Sequence, residues 1–97
     1  MLSHFECWIQ EKYQEIENLG YKAEVVKSPS DINEPSICLD LDSDNYIARI
    51  TLWESGESCL EIVDVLSENM VLNEYLVIDE NINFSEAFEK FFNRLRQ

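Results

Sequence analysis

Three runs of alternating apolar and polar residues, joined by two turn signals, occupy Ser36–Leu66 (SICLDLDSDNYIARITLWESGESCLEIVDVL). A chain carrying them is steered strongly toward a sheet, because alternation with period two separates a buried from a solvated strand face. In the first run Ile37, Leu39 and Leu41 share one face, and Cys38, Asp40 and Asp42 the other. In the second, Tyr46, Ala48, Ile50 and Leu52 oppose Ile47, Arg49, Thr51 and Trp53. The third sets Leu60 and Ile62 against Cys59 and Glu61, after which the phase slips: Val63 and Val65 are apolar while Asp64 falls on the core side. A bulge near Ile62–Val63, or burial of the strand on both faces, resolves the slip. The connections Asp42-Ser43-Asp44-Asn45 and Glu54-Ser55-Gly56-Glu57 are too short for a crossover, so the runs pair as an antiparallel meander.

The flanking segments supply what covers such a sheet. Leu2, Phe5, Ile9, Tyr13, Ile16 and Leu19 recur every three or four residues and form the stripe of a helix, with Trp8 and Lys12 alongside. Ser3, with Glu6 three residues on, has the spacing of a capping box, and Gly20 suits the left-handed position that ends a helix. Trp8 is expected in the core. Tyr21–Lys27 alternates as a first strand, and Ser28–Pro35 holds both prolines and reads as a surface loop. After a turn at Ser67-Glu68-Asn69, a fifth strand spans Met70–Asp79, with Met70, Leu72, Leu76 and Ile78 on one face and Val71, Tyr75 and Val77 on the other. A strand apolar on both faces is covered on both, within this chain or by a partner. Phe84, Ala87, Phe88, Phe91 and Leu95 form the stripe of a last helix, with Phe92 beside it and Asn83 or Ser85 as cap. Early Glu86 and Glu89 and late Arg94 and Arg96 complement its dipole.

The expected architecture is α+β: an N-terminal helix, a five-stranded antiparallel meander sheet and a C-terminal helix, with both helices on one sheet face. Residues 1–97 are expected to form one domain, since 97 residues suffice for a single modest core. The other sheet face is then left to Asp40, Asp42, Arg49, Thr51, Trp53 and Glu61.

Charge narrows the partners. Twenty acids against seven bases give a formal net charge of −13. Between Ser28 and Glu89 the only base is Arg49, set against fifteen acids. A field of that sign repels nucleic acid and anionic membrane and steers a basic partner toward the domain, although acidity also serves solubility alone. No apolar run reaches the roughly 18 residues of a membrane span, and the start MLSHFECWIQEK lacks the pattern of a signal peptide. A cytoplasmic protein is expected. Cys7, Cys38 and Cys59 lack C-x-x-C spacing and are read as reduced thiols.

Catalytic chemistry has little to stand on. The lone histidine, His4, sits near a terminus, and Gly20 and Gly56 are too far apart for a phosphate-binding loop. No catalytic residues, metal ligands or cofactor are assigned. Asp40-x-Asp42-x-Asp44 has a trace of calcium-loop spacing, but Asn45 stands where the loop needs glycine and Thr51 where it needs glutamate. Binding fares better. Trp53 points away from the core face beside a turn carrying Glu54 and Glu57, as an interface anchor does. Packing of Trp53 beneath the Ser28–Pro35 loop is the other reading.

The run Ile47-Ala48-Arg49-Ile50-Thr51-Leu52-Trp53-Glu54-Ser55-Gly56-Glu57, followed by Leu60-Glu61-Ile62 and Asp64-Val65, resembles the TriTu family of bacterial immunity proteins. Phe5…Trp8-Ile9, Gly20-Tyr21-Lys22-Ala23-Glu24 and Pro35-Ser36 followed by Leu39-Asp40-Leu41 are also similar, so the resemblance covers nearly the whole chain. It implies an antidote to an antibacterial ADP-ribosyltransferase toxin, the C-terminal domain of an Rhs-type effector of a type VI secretion system that modifies elongation factor Tu. By the same resemblance the protein binds the toxin domain one to one and blocks access to its active site. The family offers no catalytic motif to transfer. The partner contacts expected from the residue pattern are Trp53, Glu54, Glu57, Arg49, Asp40, Asp42, Asp44 and Glu61. An acidic secretion chaperone that binds an effector segment is the alternative.

Overall fold

The alternation is realised as five strands in chain order. In the computed structural model, which describes residues 1–29 and 33–96, β1 (Lys22–Lys27), β2 (Ser36–Asp42), β3 (Tyr46–Trp53), β4 (Glu57–Asp64) and β5 (Met70–Val77) each pair antiparallel with the next. Helix α1 (Leu2–Asn18) precedes the sheet, and α2 (Phe84–Ala87) and α3 (Glu89–Leu95) follow it. The loop expected over Ser28–Pro35 includes residues 30–32, which lie outside the described residues.

Ile37, Leu39 and Leu41 of β2, Ala48, Ile50 and Leu52 of β3, and Leu60 and Ile62 of β4 are all buried, as the period-two pattern requires. The helices lie on this face, and aromatic rings join them. Phe5 and Trp8 of α1 meet Phe84 and Phe88, with ring centroids 5.5–5.9 Å apart. Trp8 also meets Phe92 edge-on at 5.8 Å. Trp8 is a core residue as expected, and its indole Nε1–H donates to Ser85 Oγ at 3.0 Å, which satisfies the one polar atom it buries. Tyr21 closes the other end of the layer by donating from its hydroxyl to the Leu95 carbonyl at 3.1 Å.

Four local expectations are corrected. Ser3 does not cap α1, which begins one residue earlier at Leu2. The Leu2 backbone N–H instead donates to Glu54 Oε2 of the β3–β4 turn at 3.3 Å, and the Met1 nitrogen to Oε1 at the same distance. A distant carboxylate, complementary to the helix dipole, sets this end. The single C-terminal helix is two short ones, because Phe88 leaves helical geometry (φ −105°, ψ 14°) while its fully buried ring packs on Phe5 and Trp8. Asn83 caps the first of them, its Oδ1 accepting the Glu86 N–H at 3.2 Å. The bulge falls between Ile62 and Val63 as expected, but the additional residue is on β5: Ile62 pairs with Leu72, and Val63 with Met70. Val71 therefore packs against the core and Met70 is 48% exposed, the reverse of a regular alternation. Finally, β5 ends at Val77, where the Ile78 N–H leaves the ladder and donates to the Gly56 carbonyl at 2.7 Å.

Both glycines stand where a left-handed backbone is needed. Gly20 (φ +96°) ends α1 in a Schellman motif, its N–H donating to Glu17 and the Tyr21 N–H to Ile16. Gly56 (φ +97°) closes the three-residue β3–β4 hairpin loop, and a Cβ there would stand 2.3 Å from the Ile78 carbonyl oxygen. A Cβ on Gly20 meets nothing within 4 Å. Gly20→Ala is therefore expected to cost about 1–2 kcal/mol from backbone strain alone, and Gly56→Ala about 3 kcal/mol or more because steric displacement is added. Denaturant unfolding of the two variants checks this; equal midpoints would remove the steric argument.

Candidate functional site

The sheet face opposite the helices is uncovered among the described residues, and its side chains follow from the register. Three cross-strand rows run over it. Lys22, Asp42, Ile47 and Val63 make one; Glu24, Asp40, Arg49, Glu61 and Asn73 the next; Val26, Cys38, Thr51, Cys59 and Tyr75 the third. Beyond them, Trp53 ends β3 opposite Ser36, and Glu57 begins β4 opposite Val77.

The first two rows form a charged trough of about 430 Å³. At its centre Arg49 forms a bidentate pair with Asp40: Nε donates to Oδ1 at 2.6 Å and Nη2 to Oδ2 at 3.1 Å. That hydrogen bonding, reinforced by Coulomb attraction, strengthens the hold of the Arg49 guanidinium on its proton. Both partners touch water, so the pair contributes only about 0.2–1 kcal/mol to the fold. Its larger effect is to neutralise the one base in the middle of the sheet, so that Glu24, Asp42 and Glu61 outnumber the remaining base of the trough, Lys22 at its β1 edge.

The opposite end of the face is apolar and aromatic. Tyr75 is 59% exposed and Val77 68%, the latter in line with Glu57. The Tyr75 hydroxyl donates to Glu57 Oε1 at 2.6 Å, and Ser55 Oγ donates to Oε2 at 3.3 Å. The hydrogen bond to the carboxylate raises the phenol above its ordinary value of 10.0, with desolvation and Coulomb repulsion acting in the same direction. Trp53 is half-buried at the same end.

Of the residues read from the sequence, Asp40, Asp42, Arg49 and Glu61 are gathered in the trough, and Trp53 and Glu57 lie together at the aromatic end. Asp44 is outside both, exposed in the β2–β3 turn. Glu54 is turned toward the start of α1 and occupied by the Met1 ammonium and the Leu2 N–H. The alternative place for Trp53, under the Ser28–Pro35 loop, involves residues outside the described set. Tyr75 and Val77 were not singled out by the sequence reading. The signal was there in a strand apolar on both faces, but it pointed equally to an internal cover. Among the described residues, no group of three or more His, Cys, Asp or Glu side chains is placed to hold a metal ion, and no helix is long and apolar enough to cross a membrane.

The family model of the immunity protein TriTu matches residues 3–94, which span all five strands and reach into the last turn of α3. The chain belongs to the TriTu immunity protein family. No curated protein gives a significant match. Family membership assigns an antitoxin role, the binding of a cognate toxin, and is consistent with function by association rather than turnover. On this TriTu-family fold the sheet face opposite the helices is a broad surface that none of the three helices covers among the described residues.

A titration tests the aromatic end directly. Phenolate formation at Tyr75 is expected at higher pH than in free tyrosine, and Glu57→Gln is expected to lower it. The sign follows from the raised folded-state value: the contribution of this hydrogen bond is fully present below pH 10.0 and is lost as pH rises through the folded value. A Tyr75→Phe difference titration by absorbance isolates the residue, and an unshifted phenol would contradict the bond.

Proposed function

We propose that this protein neutralises an antibacterial ADP-ribosyltransferase toxin, the C-terminal domain of an Rhs-type effector of a type VI secretion system, by binding it one to one and blocking access to its active site. Residues 1–97 act as a single immunity domain in the cytoplasm of the producing cell. The observation that carries the reading is the acidic, uncovered sheet face of a chain whose family is that of an immunity protein. Glu24, Asp42 and Glu61 attract a basic surface; the Asp40–Arg49 pair keeps the central base of the trough from opposing them, and the other base, Lys22, lies at the β1 edge. Trp53, Glu57, Asp40, Asp42, Arg49 and Glu61 are the proposed contacts. Glu54 belongs instead to the α1 cap, and Asp44 lies at the periphery. Inhibition requires only that the domain sit over the toxin, so the chain needs no nucleophile, cofactor or metal.

Co-purification with the product of the neighbouring toxin gene, followed by an NAD-dependent modification assay on elongation factor Tu, tests this. An equimolar complex with transferase activity abolished is expected. No complex, or a complex with activity intact, contradicts the proposal and favours the chaperone reading. The double variant Asp42→Lys, Glu61→Lys leaves the Asp40–Arg49 pair in place. It is expected to weaken binding by about tenfold or more at low salt and by less at high salt, as screening of surface charge requires. Calorimetry at two salt concentrations measures both.

A further inference from the structure

Part of the apolar content of β5 has no use inside the molecule. Leu72 and Ile78 are buried and Leu76 packs against the core, so one side of the strand and its exit is accounted for. On the other side Tyr75 and Val77 are more than half exposed, although the sequence reads there as a covered strand. The opposite edge strand exposes less: on the same face it carries Val26, 44% exposed, flanked by the charged Glu24 and Lys27. β1 has lysine at both ends and Glu24 in the middle of its open side, the usual way of making an edge unattractive.

The polar group at the same corner indicates what belongs there. Glu57 accepts from two hydroxyls, those of Tyr75 and Ser55, and among the described residues pairs with no cation. Its carboxylate is held in one orientation beside an aromatic ring and an isopropyl group, with its charge uncompensated. Rigid aromatic residues around a fixed polar group make the usual centre of an interface hot spot.

We propose that the interface is anchored at this β4–β5 corner, where Tyr75, Val77 and Trp53 surround Glu57, and that the corner receives an apolar side chain of the toxin domain adjacent to a lysine or arginine that pairs with Glu57. This rests on the function proposed above and adds the location of the energetic centre and the chemistry of the partner's contact. A second copy of the chain does not fit, because a net charge of −13 on each molecule opposes self-association and offers Glu57 no favoured partner.

The test measures affinity for the purified toxin domain, as a catalytically inactive variant, by calorimetry at low and high salt. Tyr75→Ala is expected to weaken binding about 30-fold, as a hot-spot truncation does, and by the same factor at both salt concentrations. Val77→Thr, which keeps the branched shape suited to a strand, is expected to lose about fivefold, in the range of one lost apolar contact. Tyr75→Phe keeps the ring and is expected to stay within about threefold. Glu57→Gln is expected to lose about tenfold with a reduced salt dependence. If wild type binds and inhibits while Tyr75→Ala and Val77→Thr both stay within threefold, the anchor is refuted and the proposed function stands. A Tyr75→Phe loss equal to that of Tyr75→Ala would also refute the apolar anchor, since the hydroxyl would then carry the effect. If wild type does not bind the toxin domain, both proposals fail. A dimer in sedimentation that Tyr75→Ala dissolves would reassign the corner to self-association and overturn the anchor.

Discussion

Packing of aromatic rings between the two ends of the chain holds the helical layer together. Phe5 and Trp8 come from α1, and Phe84, Phe88 and Phe92 from the C-terminal segment; every contact between the two groups brings ring centroids within 6 Å. Neither α2 nor α3 is long enough to persist alone in water. They exist because their phenylalanines are buried, and the break at Phe88 shows the priority of ring packing over helical continuity. With the helices fastened to one another, the sheet needs protection on one face only. The other face is left open to solvent among the described residues.

The same division explains the two ways acidic residues are used. Glu54 and Glu74 serve the fold: one receives the Met1 ammonium and the first N–H of α1, and the other pairs with Lys90 of α3. Asp40 holds Arg49 across the β2–β3 pair. Glu24, Asp42 and Glu61, by contrast, have side chains for which no ion pair is formed among the described residues. They lie on the side the helices leave bare. The net charge of −13 is spread over helices, turns and sheet alike; what distinguishes these three is that they stand in adjoining rows of the face the helices leave bare.

Most of the sheet was legible because a single physical rule wrote it: a strand with one wet and one dry face must alternate, and from Ile37 to Ile62 it does. Helix α1 was legible for the corresponding reason at period 3.6. The failures occurred where a distant residue overrode a local preference. Ser3 has the right chemistry for a cap, but Glu54 approaches from the β3–β4 turn and the helix starts before it. Met70 and Val71 exchanged faces because a bulge inferred on β4 inserts its extra residue into β5. For the site, charge pattern found Asp40, Asp42, Arg49 and Glu61, whereas Tyr75 and Val77 were passed over because apolar residues on a strand look the same whether they meet a core or a partner. Only the sheet's position relative to the helices separates those cases.

The meander has a consequence for how the chain comes to be folded. Because strand order is chain order, the sheet can grow one hairpin at a time, with short loops and little entropy to close them. The helical layer cannot: Trp8 waits for Ser85, and Tyr21 for the carbonyl of Leu95. Until the segment Phe84–Leu95 has been made, the apolar face of the growing sheet has only α1 to cover it. The nascent sheet thus passes through a stage with its apolar side half covered, and the acidity of the whole chain is what opposes aggregation in that interval.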